Sequence, residues 1–343
     1  MKTLIAGLGS IGRRHFRNLV ALGEKDIILL RSHRAALSDD ELAGYPVETD
    51  LADAVKKHKP DAVVVANPTA LHLDVAIPAA KAGCSILMEK PISNSTDRMD
   101  ELESALKKGG GQLLVGFQFR FHPTLQKAAQ LFHEGTVGKP LSFHVQWGEY
   151  LPDWHPWEDF RQSYAARPDL GGGVILTLTH PLDYVRMLLG EADSLWAFAS
   201  SLNLDLPVED AAEIGLKMAS GAIGSIHMDY NQRPPSHRWE IVGSNGTMKW
   251  DNATGNLEVF SSPRTDRSPK GRWTKGEGKW DIYEPPAGFE RNVMFVEEMK
   301  HFIAVVQKKE SPACVLEDGK WALRLALAAH QSARTEKIVR LNS

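Results

Sequence analysis

Short apolar runs alternate with amphipathic stretches through the first third of the chain, and each run is brief enough to be a strand. Lys2 to Ala6 reads as a buried strand; after a glycine turn, Ile11, Phe16, Leu19, Val20 and Leu22 recur at helical spacing. Asp26 to Leu30 is the next strand. Asp61 to Ala66 is a β-branched run bounded by Pro60 and Asn67-Pro68; a helix from about Leu71 to Ala82 stops at Gly83, and Ser85 to Glu89 and Gln112 to Phe119 are further strands. Buried strands alternating with helices predict a parallel, doubly wound α/β sheet with right-handed crossovers.

The pattern changes near residue 120, which predicts two domains, 1–119 and 120–343. Pro123 to Glu134 is a helix closed by Gly135, and Leu141 to Tyr150 alternates with Phe143, Val145 and Trp147 on one face. Leu151 to Gly173 is a loop crowded with Trp154, His155, Trp157, Glu158, Asp159, Arg161, Tyr164 and Arg167, the composition of a substrate wall. Val174 to Leu189 reads as one helix. Six strands follow, Ser194 to Ser201, Val208 to Met218, Ala222 to Tyr230, Arg238 to Val242, Thr247 to Trp250 and Asn256 to Ser261. They predict an α+β domain with an open, mostly antiparallel sheet. One face, expected to carry Trp196, Phe198, Ile226 and Met228, would be wet unless a second subunit covered it, so a homodimer or homotetramer through this sheet is expected. Pro263 to Pro286 reads as a polar loop, and helices over Phe289 to Gln307 and Glu317 to Lys337 finish the chain.

Composition narrows the function classes. The 343 residues exceed one typical core, and the 43% hydrophobic content is ordinary for a globular protein. A net charge of −3 provides no field for nucleic acid, and Lys56-Lys57-His58-Lys59 reads as a solvated helix face. The first apolar run is broken by glycines and followed by Arg13, Arg14, His15 and Arg17, unlike a signal peptide; no run approaches the roughly 18 apolar residues of a membrane span. Cys84 and Cys314 form neither a disulfide framework nor a metal pattern. A cytoplasmic protein with no metal is expected.

Chemistry concentrates at the strand ends. In Gly7-Leu8-Gly9-Ser10-Ile11-Gly12, Gly7 permits the bend, Gly9 lets a phosphate approach the backbone, and Gly12 allows close helix-strand packing; the amides and positive dipole end of the helix then face a pyrophosphate. A carboxylate after the second strand would select NAD. The chain instead has Arg31-Ser32-His33-Arg34, whose guanidiniums suit a 2′-phosphate, so NADP is favoured over NAD, the alternative being a solvated basic loop. Glu89-Lys90-Pro91 places an ammonium at the same sheet edge, and together these motifs suggest a nicotinamide oxidoreductase.

The glycine motif, Asn67-Pro68-Thr69-Ala70-Leu71-His72, Glu89-Lys90-Pro91, and three glycines followed by His180-Pro181-Leu182-Asp183 occur in the order seen in the glucose-fructose oxidoreductase and inositol dehydrogenase family, Gfo/Idh/MocA, which the chain resembles along nearly its whole length. The resemblance implies a Rossmann domain, a C-terminal domain with a large open sheet, and hydride transfer between NAD(P) and a hydroxyl carbon of a sugar, cyclitol or related substrate. It implies that Lys90, aimed by a cis bond at Pro91, sits beside the nicotinamide and steadies a developing alkoxide. His180 would exchange the hydroxyl proton, with Asp183 on the same helix face fixing its tautomer. The two side chains are expected to meet over the dinucleotide. The cofactor set is then Gly7, Gly9, Ser10, Ile11, Gly12, Arg31, Ser32, Arg34, Asn67, Pro68, His72, Glu89, Lys90 and Gln118; the substrate set is Lys90, Arg120, Trp157, Arg161, Tyr164 and His180. Many relatives carry an aspartate four residues before the histidine. This chain has Leu176 there, so Asp183, Thr177 or Thr179 substitutes or the reaction differs, and the Thr-Leu-Thr-His version leans toward a nucleotide-linked or acidic sugar. Two other classes stay open: the same scaffold with retained cofactor catalysing redox-assisted elimination or glycoside cleavage, and a non-catalytic NAD(P)-binding regulator.

Overall fold

The computed structural model describes residues 1–31, 40–261 and 278–341. Its strands and helices in chain order are β1 (Thr3–Ala6), α1 (Ser10–Ala21), β2 (Ile27–Leu30), β3 (Val47–Glu48), α2 (Leu51–His58), β4 (Ala62–Val65), α3 (His72–Lys81), β5 (Ser85–Glu89), α4 (Met99–Gly109) and β6 (Leu113–Gly116). These are followed by α5 (Pro123–His133), β7 (Pro140–Tyr150), α6 (Val174–Thr177), α7 (His180–Leu189), β8 (Ala192–Ser200), β9 (Ala211–Met218), β10 (Ile223–Asp229), β11 (Asn231–Gly243), β12 (Gly246–Asp251), β13 (Asn256–Ser261), β14 (Lys279–Tyr283), α8 (Arg291–Val306), α9 (Leu316–Thr335) and β15 (Val339–Arg340). Two compact units result, one of Met1–Gln118, His155–Thr179 and Glu290–Arg324, the other of Phe119–Trp154, His180–Phe289 and Leu325–Ser343.

The first unit holds a parallel sheet in the order β3-β2-β1-β4-β5-β6. Every residue of β1, β4, β5 and β6 is buried, which is why these strands read as unbroken apolar runs. The strand order reverses between β1 and β4, and ligands of such sheets bind at the carboxyl ends there. Gly7 and Asn67 lie on those two ends.

The second unit holds nine strands in the order β14-β13-β12-β11-β7-β10-β9-β8-β15. Among the described residues only the β7–β10 pair of this sheet is parallel. Phe143, Val145 and Trp147 are buried on its inner face as the alternation predicts, with Ile214, Ile226, Met228 and Trp250. Thr124 of α5 accepts from Trp250 Nε1 at 3.0 Å and donates to the Gly255 carbonyl at 2.6 Å, fastening the helix to that face.

Four expectations need correction. Ile226 and Met228 are fully buried, whereas Trp196 is 40% and Phe198 69% exposed: Ile226 pairs with Ile214, while Trp196 and Phe198 pair with Gly215 and Glu213 on the opposite parity. The helix expected over 174–189 is two, because Pro181 has no N–H to bond the Thr177 carbonyl four residues back and sits instead in the first turn of a new helix. The polar stretch after residue 262 contains β14, an edge strand whose Trp280 and Ile282 face solvent. β11 begins seven residues earlier than its apolar pattern, taking in Pro234 and Pro235 through a register shift between Asn231 and Ser236.

Candidate active site

In the first unit the glycines do what their spacing requires. Gly7 has φ +92°, and a Cβ there would lie 2.6–2.7 Å from the Asn67 amide and the Ala66 carbonyl; a Cβ on Gly12 would strike the Gly7 carbonyl oxygen. Gly9 has open space instead. It caps α1 without a side-chain bond, and no acidic residue occupies the first turn, so the positive helix end is kept for an external anion. His155 reaches from the aromatic loop to Ser10, Nε2 to Oγ 3.2 Å.

Asn67 shapes the turn after β4. Its Nδ2 donates to the Leu71 carbonyl at 2.9 Å, and its own carbonyl lies 2.9 Å from His72 Nε2. His72 is buried, and burial lowers its pKa against the raising effect of the Asn67 and Pro91 carbonyls. It therefore braces the turn after β4 from inside. The buried oxygens of Asn67 and Gln118 side chains have no hydrogen-bond partner among the described residues. Both are acceptors at the carboxyl edge of the sheet, an arrangement that fits the donors of a nicotinamide nucleotide.

Lys90 follows β5, and its peptide bond to Pro91 is cis. Its Nζ donates to the Thr177 carbonyl at 2.8 Å. That carbonyl is available because the residue four positions on is Pro181, which has no N–H to give it. The preceding Glu89 carboxylate is buried against His15, Oε1 to Nε2 2.7 Å. Burial pushes Glu89 up, but the His15 bond and charge and the Lys90 ammonium outweigh it and hold it below the usual carboxylate range. Burial, with the Glu89 charge second, raises the Tyr164 phenol. Trp157 is 54% exposed, and Arg161 is exposed with its guanidinium 4.5 Å from the Phe160 ring centroid. Within their unit these two do not form a packed wall. Arg31 follows β2, its N–H bonded to the Glu48 carbonyl at 3.1 Å; Ser32 and Arg34 lie outside the described residues.

In the second unit His180 opens α7, 2% exposed. Its ring stacks on Trp147 at 5.4 Å and meets Phe119 edge-on at 4.9 Å. Trp147 also stacks on His237 at 4.1 Å, and the Tyr184 hydroxyl lies 3.1 Å from His237 Nε2. Asp183 is paired with Arg120 in a fork, Nε to Oδ2 2.9 Å and Nη2 to Oδ1 2.6 Å, so two residues assigned separate roles from sequence form one buried ion pair. His15, Trp147 and His237 were not expected as site residues, and Thr177 was expected through its side chain, whereas it is its carbonyl that Lys90 meets. Pro181 was the signal for Thr177, and the Trp147–His237 pair emerges only from strand register.

A glycine cradle at the switch point of a parallel sheet, with an ammonium on the same edge, defines a dinucleotide-binding oxidoreductase. Residues 1–117 match the NAD-binding Rossmann-fold model of an oxidoreductase family and residues 125–249 match the GFO/IDH/MocA C-terminal domain model. The chain belongs to the Gfo/Idh/MocA oxidoreductases. It is 29% identical to myo-inositol 2-dehydrogenase of Thermotoga maritima, across 99% of this chain and 98% of that one. Among solved structures it resembles levoglucosan dehydrogenase in complex with NADH and levoglucosan, with TM-score 0.85, 20% identity and full coverage of both chains. It also resembles the WlbA dehydrogenase from Bordetella pertussis in complex with NADH and UDP-GlcNAcA, with TM-score 0.81, 22% identity, and 100% and 99% coverage.

Proposed function

We propose that the protein oxidises a secondary hydroxyl of a sugar, cyclitol or sugar derivative, or reduces the corresponding carbonyl. The bound nicotinamide supplies the hydride acceptor or donor. The observation that carries this reading is the Lys90 ammonium, set on the carboxyl edge of the sheet that bears the glycine cradle and tethered to a neutral main-chain carbonyl. In oxidation His180 would take the proton of the substrate hydroxyl and Lys90 would steady the negative charge developing on oxygen, the nicotinamide when bound serving as hydride acceptor. Asp183 acts through Arg120, holding the first turn of the helix that carries His180. Leu176 is buried and offers Lys90 no charge, and the Thr177 carbonyl orients the ammonium instead.

NADP(H) is the cofactor we assign, supported by Arg31 and by the absence of an acidic residue in the four positions after β2. NAD(H) in the levoglucosan and WlbA dehydrogenase complexes is the competing choice. We read the location as cytoplasmic, supported by Cys84 and Cys314 being buried free thiols. The outer face of the large sheet, with Trp196, Phe198 and the 60% exposed Ile223, is assigned to a second copy of this chain; sedimentation at micromolar concentration as a monomer would exclude that.

The test is a panel of inositols, free sugars and nucleotide-linked sugars with NAD⁺ and NADP⁺, followed by reduced-nicotinamide absorbance. One substrate class should turn over, with activity lost in Lys90→Ala and in His180→Gln by about a hundredfold or more. Undiminished turnover in Lys90→Ala would remove the lysine from the reaction. Tight retention of cofactor through gel filtration without net reduction would favour the redox-assisted elimination chemistry.

A further inference from the structure

Away from the strand ends, the first unit holds a second concentration of positive charge, between the middle of α1 and the start of α8. Arg14, Arg17, Asn18, Glu290, Arg291 and Asn292 line a cavity of about 410 Å³ there, a size that admits a small metabolite. Arg17 has its counter-charge: the guanidinium forks onto Glu41 at 2.6 and 2.8 Å and is largely exposed, so it belongs to the rim. Arg14 and Arg291 do not. Arg14 lies half-buried with its guanidinium 4.5 Å from the Phe295 ring centroid, and burial followed by the Arg291 charge lowers its pKa. No carboxylate pairs with either guanidinium among the described residues. Glu290, the one carboxylate on the lining, is exposed.

Two further sets of donors border the same space. α8 begins at Arg291 with Glu290 as its cap; no side chain bonds its free amides and no acidic residue stands in its first turn, so the positive helix end is uncompensated. Asn18 is an independent sign. It is 3% exposed, its Oδ1 accepts from Asn292 Nδ2 at 2.9 Å, and its own Nδ2 has no hydrogen-bond partner among the described residues. A buried donor left without an acceptor is costly. On the wall of a cavity, an acceptor held inside removes that cost.

We propose that this cavity is a second anion site, separate from the glycine cradle, and that it takes a phosphate group, either inorganic phosphate or the phosphate monoester of a small metabolite. Arg14 and Arg291 supply the charge, and each guanidinium can give paired N–H bonds to phosphate oxygens. The first amides of α8 and Nδ2 of Asn18 supply the remaining donors. None of the lining residues belongs to the Gly7–Gly12 cradle, and the site does not depend on the reaction assigned to the protein. A phosphate held by both helices fastens the start of α8 to the middle of α1 and stabilises the folded unit as its concentration rises over Kd.

Titration calorimetry of the NADH-saturated protein with inorganic phosphate, with glucose 6-phosphate and with glucose tests this, since NADH fills the cradle beforehand. One site is expected for phosphate and none for glucose. Arg14→Gln and Arg291→Gln should each raise the phosphate Kd about tenfold or more, whereas Arg17→Gln on the rim should change it about twofold or less. Arg14→Gln also removes packing on Phe295, so its melting temperature without phosphate is read beside the titration; Arg291→Gln, exposed, decides the case on its own. Tighter binding of glucose 6-phosphate than of phosphate, lost in Arg291→Gln, assigns the site to a monoester, and equal or weaker binding assigns it to the free ion. No phosphate binding to the NADH-saturated protein, or an unchanged Kd in Arg291→Gln, would overturn the proposal.

Discussion

Alanine at Gly9 and at Gly12 should separate what the glycine loop does for the ligand from what it does for the fold. A Cβ on Gly9 meets no atom within 4 Å, and its φ of −71° and ψ of −167° are open to any residue. As the α1 cap, alanine loses up to about 1 kcal/mol against glycine; reduced freedom of the unfolded chain returns about 0.4–1 kcal/mol. The unliganded Gly9→Ala protein should therefore unfold within about 1 kcal/mol of the parent. The methyl instead occupies the space through which a phosphate reaches the α1 amides. Losing one charge-assisted hydrogen bond costs about 1.5–3 kcal/mol, so the NADH Kd should rise about tenfold to a hundredfold. A Cβ on Gly12 runs into the Gly7 carbonyl oxygen, with rigid backbone on both sides, and Gly12→Ala should cost about 3 kcal/mol or more even without ligand. Urea unfolding and calorimetric titration of NADH read the two effects separately. Unchanged NADH affinity in a folded Gly9→Ala protein would refute the cradle.

Further outcomes follow from buried charge. Asp183→Asn keeps the shape but takes the carboxylate from Arg120, whose side chain is only 12% exposed; urea unfolding should show a loss of about 3–5 kcal/mol, and a loss below 1 kcal/mol would mean that the pair is better solvated than its burial indicates. His122 is buried beside Trp250 and Thr124, and burial lowers its pKa to about 4. Because the folded value lies below the unfolded 6.5, the unfolded chain takes up the proton first: the stabilisation is complete above pH 6.5 and fades as pH falls toward 4, by about 3 kcal/mol. Unfolding free energies of parent and His122→Asn across that window should diverge by this amount, and parallel curves would contradict it. His227 runs the other way. Asp229 and Glu213 raise it to about 9, so its contribution is complete below pH 6.5 and is lost as pH rises through 9; with the side chain 41% exposed, screening leaves about 1 kcal/mol or less to detect against His227→Gln.

Legibility followed burial. Strands buried on both faces, β1, β4, β5 and β6, stood out as apolar runs, and the cradle stood out because sterics leave glycine no substitute at positions 7 and 12. The open sheet was harder. One of its faces is wet, so parity along each strand is visible but the register between strands is not, and Ile226 was grouped with Trp196 although they point to opposite faces. Prolines at 234 and 235 hid the start of β11 because a bulge absorbs them. Lys90 and His180 were singled out by their motifs, but the atom that Lys90 meets is a main-chain carbonyl with no letter of its own. Asp183 looked like a partner for His180 by helical spacing, and a residue sixty-three positions away, Arg120, proved to be paired with it. Glu298 of α8 is fully buried and Glu297 beside it is exposed, and nothing in the sequence distinguishes the buried carboxyl from the solvated one.

The glycine cradle and Lys90 are proposed to serve one bound dinucleotide. A crystal structure of the NADH or NADPH complex decides the matter. The pyrophosphate should lie on the amides of residues 9–11, with the nicotinamide ring beside the Lys90 ammonium. A dinucleotide bound elsewhere, or a ring turned away from Lys90, would contradict it.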